Sequence, residues 1–103
     1  MTFDDVRRLA LSLPRVVEGT SYRTPAFRVG KKFLARLKED GVTIALRMSF
    51  DDRDYLMRAK PKTFFITDHY RNYPAVLVRL GKIREAEMRD VLRRSWDFVT
   101  KKS

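Results

Sequence analysis

In "EGTSYRTPAFRVGKKFLARLKEDGVTIALRM", residues 18–48, apolar side chains begin to recur at every second position. A period of two sends alternate side chains to opposite faces of an extended strand. Phe27 and Val29 flank Arg28. Phe33, Ala35 and Leu37 alternate with Leu34, Arg36 and Lys38, and Val42, Ile44 and Leu46 alternate with Thr43, Ala45 and Arg47. Gly30 with Lys31, and Glu39-Asp40-Gly41, carry the turn chemistry that closes hairpins. The spacing predicts a three-stranded meander with one apolar face and one face bearing Arg28, Arg36, Lys38 and Arg47.

Outside this stretch the period is helical or the runs are short. "TFDDVRRLALSLP" offers Thr2 as an N-cap, Asp5 three residues on, and Val6, Leu9, Ala10 and Leu13 at helical spacing before Pro14 stops it. "SFDDRDYLMRAKP" predicts a second helix capped by Ser49, with Leu56 and Ala59 inward and Pro61 ending it. "TFFIT" and "AVLVRL" are two further apolar, β-rich runs. From about Arg84 to Val99, one stripe holds Met88, Val91, Leu92, Ser95, Trp96 and Val99. The predicted order is α-β-β-β-α-β-β-α: an α+β two-layer sandwich, with a mostly antiparallel sheet and helices on one face. No repeat, low-complexity tract or linker divides the 103 residues, so a single domain over 1–103 is expected.

Composition narrows the function classes. No cysteine is present, which removes disulfides, thiolate catalysis and sulfur-based zinc sites. No apolar run reaches a membrane span, and "MTFDDVRRLALSLP" lacks the apolar core of a signal peptide, so a cytoplasmic protein without membrane contact is expected. The net charge is +10. The excess falls in two blocks: Arg15, Arg23, Arg28, Lys31, Lys32, Arg36 and Lys38 with only Glu18, and Arg58, Lys60, Lys62, Arg71, Arg79, Lys82 and Arg84 with only Asp68. Such a balance suits a polyanionic partner.

The motif "TFFITDHYRNYPAVLVRL", residues 63–80, contains the only histidine. Asp68, His69 and Tyr70 contain the elements of an acid–base pair, with Ser21 or Thr24 as a hydroxyl, but neighbours on an extended chain point in different directions. No nucleophile elbow, P-loop or paired carboxylate accompanies them, so no enzyme is expected. Asp68 capping a turn, Tyr70 and Tyr73 packing at the sheet edge and Pro74 leading into the next strand account for the motif structurally. Tyr22, Asp68, His69, Tyr70 and Tyr73 remain candidates for ligand or turn contacts. One histidine and scattered acids close no metal shell, and Asp51, Asp52 and Asp54 match the dipole at a helix start, so neither metal nor cofactor is expected.

Basic and aromatic residues interleave in a way that suits phosphate contacts with stacking: Arg23, Arg28, Lys31, Lys32, Arg36, Arg71 and Arg79, with Tyr22, Tyr70 and Tyr73. The competing reading is a protein- or peptide-interaction module, monomeric or homodimeric, in which Leu34 and Leu77 share the outward face with the arginines.

Together, "GTSYRTPAFRVGKKFLARL", "TFFITDHYRNYPAVLVRL" and the closing amphipathic helix resemble the MmcQ/YjbR family. Its pattern runs G-x-S, T-P-A-F, then T-D-H-Y-x-x-Y-P-x-V-L-V-R-L. Asn72 stands where that family often has glycine and Tyr22 where tryptophan is common, both of which keep the local chemistry. The resemblance implies a YjbR-like, CyaY-like fold similar to type III secretion chaperones. It also implies binding of DNA through wing-like projections.

Overall fold

The computed structural model of the chain describes residues 1–101. The Thr2 hydroxyl accepts from the Asp5 amide, and the Asp5 carboxylate accepts from the Thr2 amide. This capping box starts α1, Phe3–Leu11, which buries Val6, Leu9 and Ala10. The Ser49 hydroxyl accepts from the Asp52 amide and starts α2, Phe50–Ala59. There Leu56 points inward as spaced, but Ala59 is exposed and Arg53 takes the second buried place. α3, Glu85–Thr100, buries Met88, Val91, Leu92, Ser95 and Val99, while partly buried Trp96 donates its indole N–H to the Pro14 carbonyl at 2.9 Å.

Six strands complete the α+β sandwich: β1 (Val16–Ser21), β2 (Thr24–Val29), β3 (Lys32–Leu37), β4 (Thr43–Arg47), β5 (Phe64–Phe65) and β6 (Ala75–Arg79). They lie in the order β1-β2-β3-β4-β6-β5, and every pairing is antiparallel. The observed order, α-β-β-β-β-α-β-β-α, contains one strand more than spacing predicted. That strand is β1, whose only partner is β2 and whose residues are buried only at Val16, so no alternation marks it. Val42, grouped with the inward residues by spacing, lies just outside β4 and is exposed.

A bulge changes which face β3 presents. Phe27 pairs with Ala35 and Arg28 pairs with Phe33, so Leu34 is an extra residue in the ladder. Leu34 therefore turns inward with Ala35 and is fully buried in the helix-side core, beside Phe27, Ile44, Leu46, Val76 and Val78. This corrects the outward placement of Leu34 and moves Phe33 to the face of Arg28. α1, α2 and α3 close the core from that one side. No helix among the described residues is long and apolar enough to cross a membrane.

Candidate nucleic-acid interface

The helix-free face of the sheet forms the candidate site. Register lines up Gly19, Ala26, Arg36, Ala45, Leu77 and Phe65 in one row across all six strands. Alanines at the middle of an open face leave a hollow that larger side chains would fill. A cleft of about 770 Å³ lies there, with Ala45 and Ala75 on its floor. This volume is in the range that holds a drug-sized ligand, about 300–1,000 Å³.

One wall is the β1–β2 hairpin. Ser21 pairs with Thr24, so Tyr22 and Arg23 make a two-residue turn, with φ of 54° and 69°. Hairpin turns of this kind need positive φ at both positions and usually use Asn-Gly. Side chains larger than glycine's are strained there, by about 1 kcal/mol or more each. The turn sets the Tyr22 ring, 79% exposed, 5.1 Å from the Arg36 guanidinium at the cleft rim.

The opposite wall is the connection between β5 and β6. Asp68–Tyr70 form a single 3₁₀ turn. Tyr70 is buried against Ala45, Ala75 and Leu77, and its hydroxyl accepts from Lys38 Nζ at 3.1 Å. His69 meets the Tyr70 ring edge-on at 5.2 Å, and Tyr73 lies 6.4 Å from it. Arg53 of α2 fixes this wall from behind. Its Nη1 donates to the carbonyls of Tyr70 (3.1 Å), Arg71 (3.3 Å) and Tyr73 (3.2 Å), of which those of Tyr70 and Tyr73 also accept backbone amides of the turn.

The cations differ in their freedom. Arg36, buried, donates through Nη1 to the Thr24 hydroxyl at 3.0 Å and the Leu37 carbonyl at 3.3 Å, and through Nη2 to Glu39 at 3.4 Å. A backbone amide first, then the charges of Arg36 and Lys38, holds the Glu39 carboxyl below its ordinary range. Arg28 lies over Phe33 at 5.8 Å. Arg47 sits between two rings, 5.3 Å from both Tyr73 and Phe98. Among the described residues no carboxylate pairs with Arg23, Arg28, Lys31, Lys32 or Arg47.

The helical side is different. There Arg7 meets Asp4 and Glu18, Arg8 meets Asp5 and Glu85, Lys60 meets Glu87, Arg89 meets Glu85, Arg93 meets Asp97, and Arg94 meets Asp52 and Asp90. Arg58 of α2 is an unpaired exception among the described residues, and a further unpaired group, Lys62, Lys82 and Arg84, stands beyond β5; none of the four lines the cleft.

Of the residues expected to contact a ligand, the cleft brings together Tyr22, Arg28, Arg36, His69, Tyr70 and Tyr73. Arg23 is at the hairpin tip, and Lys31 and Lys32 form the rim beyond Phe33. Arg71 and Arg79 stand apart. Arg71 pairs with Asp68 at 2.6 Å, and Arg79 covers Phe65 at 3.9 Å while donating to the Lys62 carbonyl. Asp68 thus engages Arg71 rather than orienting His69. Among the described residues no cluster of three metal-ligating side chains forms. Sequence reasoning missed Arg53, whose signal was its spacing of three from Leu56 on the inward face, and Phe33, which only the bulge turns outward.

An open-faced α+β sandwich with an aromatic-walled, cationic cleft is therefore the class of protein defined by fold and site. Residues 11–98 match the YjbR family, and the chain belongs to it. It is 30% identical over 113 aligned positions to uncharacterized protein Mb2600 of Mycobacterium bovis, covering 92% of this chain and 85% of that protein. The same figures hold for uncharacterized protein Rv2570 of Mycobacterium tuberculosis. The crystal structure of Deinococcus radiodurans protein DR2400, a DUF419 domain, superposes with a TM-score of 0.81 at 26% identity, over 98% of this chain and 80% of that one.

Proposed function

We propose that this protein binds nucleic acid, DNA in the first instance, through the helix-free face of its sheet, without catalysing a reaction. The observation that carries this reading is the asymmetry of ion pairing. Six cations of the helical surface, Arg7, Arg8, Lys60, Arg89, Arg93 and Arg94, are matched by carboxylates, whereas Arg23, Arg28, Lys31, Lys32 and Arg47 meet aromatic rings or solvent. Unneutralised cations beside stacking rings suit phosphates with bases next to them. A competing interaction-module reading retains one observation, the free outer edge of β1 with Val17 57% exposed. The apolar groove expected for it has lost its residues, because Leu34 is in the core and Leu77 lies under Tyr70.

Fluorescence anisotropy of a labelled oligonucleotide across a salt series tests the reading. Arg23→Ala/Arg28→Ala is compared with Arg89→Ala/Arg93→Ala, which removes the same charge from the helical side. The reading expects the first pair to weaken binding and to reduce the log–log salt slope by about 1–2, with the second close to the parent. Equal losses in both would reduce the +10 charge to an undirected surface property.

A further inference from the structure

Beyond Phe33, where the end of the sheet meets the C-terminus of α3, lies a second cavity of about 390 Å³, lined by Lys31, Lys32, Phe33, Arg47, Phe98 and Lys101 among others. Phe33 belongs to both cavities, and Tyr73, a wall of the cleft, lies over the Arg47 guanidinium. The two hollows are therefore consecutive compartments of one track. Their chemistry differs. The cleft has an alanine floor and tyrosine walls, with Arg36 and Lys38 offset by Glu39 and with Arg28 at its rim, while the second cavity gathers four cations with no carboxylate among its lining residues.

Arg47 is the partly buried cation of this group. Packed between Tyr73 and Phe98, its Nε–H is buried with no hydrogen-bond partner among the described residues. A guanidinium offers five donors in a fixed fork suited to phosphate. The α3 C-terminus accounts for some positive charge at Val99–Lys101, since helix C-termini favour cations. It leaves the Arg47 donor unpaired among the described residues, and Lys31 lies in the β2–β3 turn while Lys32 starts β3.

We propose that the track holds one unpaired nucleotide unit, its base in the cleft between Tyr22 and the Tyr70–Tyr73 wall and its phosphate on Arg47, Lys31 and Lys32. The class of ligand rests on the nucleic-acid reading above, and the inference adds that the unit is unpaired. A base stacked in a duplex has no face free to enter a walled hollow, whereas an unpaired base stacks on aromatic rings whatever its identity. The unit belongs either to a single strand or to a free nucleotide, and the two share this chemistry.

The test is a set of equilibrium titrations of the full chain. The ligands are a labelled single-stranded 12-mer, the matching duplex, the same strand with abasic sites, and a nucleoside monophosphate. The variants are Arg47→Gln, Lys31→Ala/Lys32→Ala and Tyr22→Ser, each checked for folding by circular dichroism. The single strand should bind at least about tenfold more tightly than the duplex, and the abasic strand should lose that advantage. Tyr22→Ser should weaken single-strand binding about 5- to 150-fold, the range for loss of one stacked base, and leave the duplex unchanged. Either charge variant should weaken the strand and flatten its salt slope, the lysine pair doing so without touching the packed Arg47. Equal strand and duplex affinity, indifferent to Tyr22 and Arg47, overturns the inference while the nucleic-acid reading stands. A monophosphate bound as tightly as the strand, and weakened by the same variants, upholds the nucleotide unit and overturns the nucleic-acid reading. Absence of binding to all four ligands at near-physiological salt overturns both.

Discussion

Replacing Tyr22-Arg23 by Asn-Gly should make the protein more stable and a poorer binder at once. The two residues hold φ of 54° and 69°, and relieving both releases about 2 kcal/mol at about 1 kcal/mol each. Against this, the exposed Tyr22–Arg36 contact at 5.1 Å contributes about 0.5 kcal/mol. A new glycine adds unfolded-chain freedom costing about 0.5–1 kcal/mol. The balance is a gain of about 0.5–1 kcal/mol. For a domain of about this size 1 kcal/mol moves Tm by about 4–8 °C, so a rise of about 2–8 °C is expected. The same double variant deletes the exposed ring at the cleft rim and should weaken an aromatic ligand. Differential scanning calorimetry read beside anisotropy decides it. A variant less stable than the parent would show that the turn is not strained, and unchanged binding would remove Tyr22 from the interface.

Other perturbations test the supports of the site. Arg53→Met removes a buried cation that holds three carbonyls, and should cost about 1–3 kcal/mol in urea unfolding; a loss under about 0.5 kcal/mol would mean that the wall stands without it. Leu34→Ala should cost about 2–5 kcal/mol, as for a core leucine, with binding intact, whereas Phe33→Ala should weaken binding; the reverse pattern would place the bulge wrongly. At Asp40, burial raises the carboxyl pKa, but the Thr43 hydroxyl and the Val42 and Thr43 amides outweigh it and hold it below 3.8. Because the unfolded state binds that proton first, stability should fall as pH drops below about 3.8, and Asp40→Ala should flatten the fall in acid-unfolding curves. An equally steep fall in the variant would assign acid sensitivity to other carboxylates.

Much of the sandwich was legible because its signals are local. Thr2 with Asp5 and Ser49 with Asp52 announce helix starts, Gly30 and Gly41 take the positive φ their turns need, and the stripe of α3 is continuous. What was not legible depends on partners distant in sequence. β1 is an edge strand with a single neighbour, so little burial shaped its sequence, and its turn lacks the Asn-Gly signature. An alternating pattern also cannot reveal a bulge, so Leu34 and Phe33 exchanged faces. The aromatic residues of the site could be picked out individually, but their convergence depends on β4 pairing with β6, which brings the Tyr70 loop back over Ala45.

The central claim is that the helix-free face is the binding surface, and residue-resolved NMR titration tests it most directly. Uniformly ¹⁵N-labelled protein would be titrated with the unlabelled single-stranded 12-mer at near-physiological salt. Amide shifts concentrated at Tyr22, Arg28, Lys32, Ala45, Arg47, Tyr70 and Tyr73, with α1 and the outer face of α3 unmoved, are the predicted result. Shifts centred on the helical face, or spread evenly over every lysine and arginine of the surface, would contradict it.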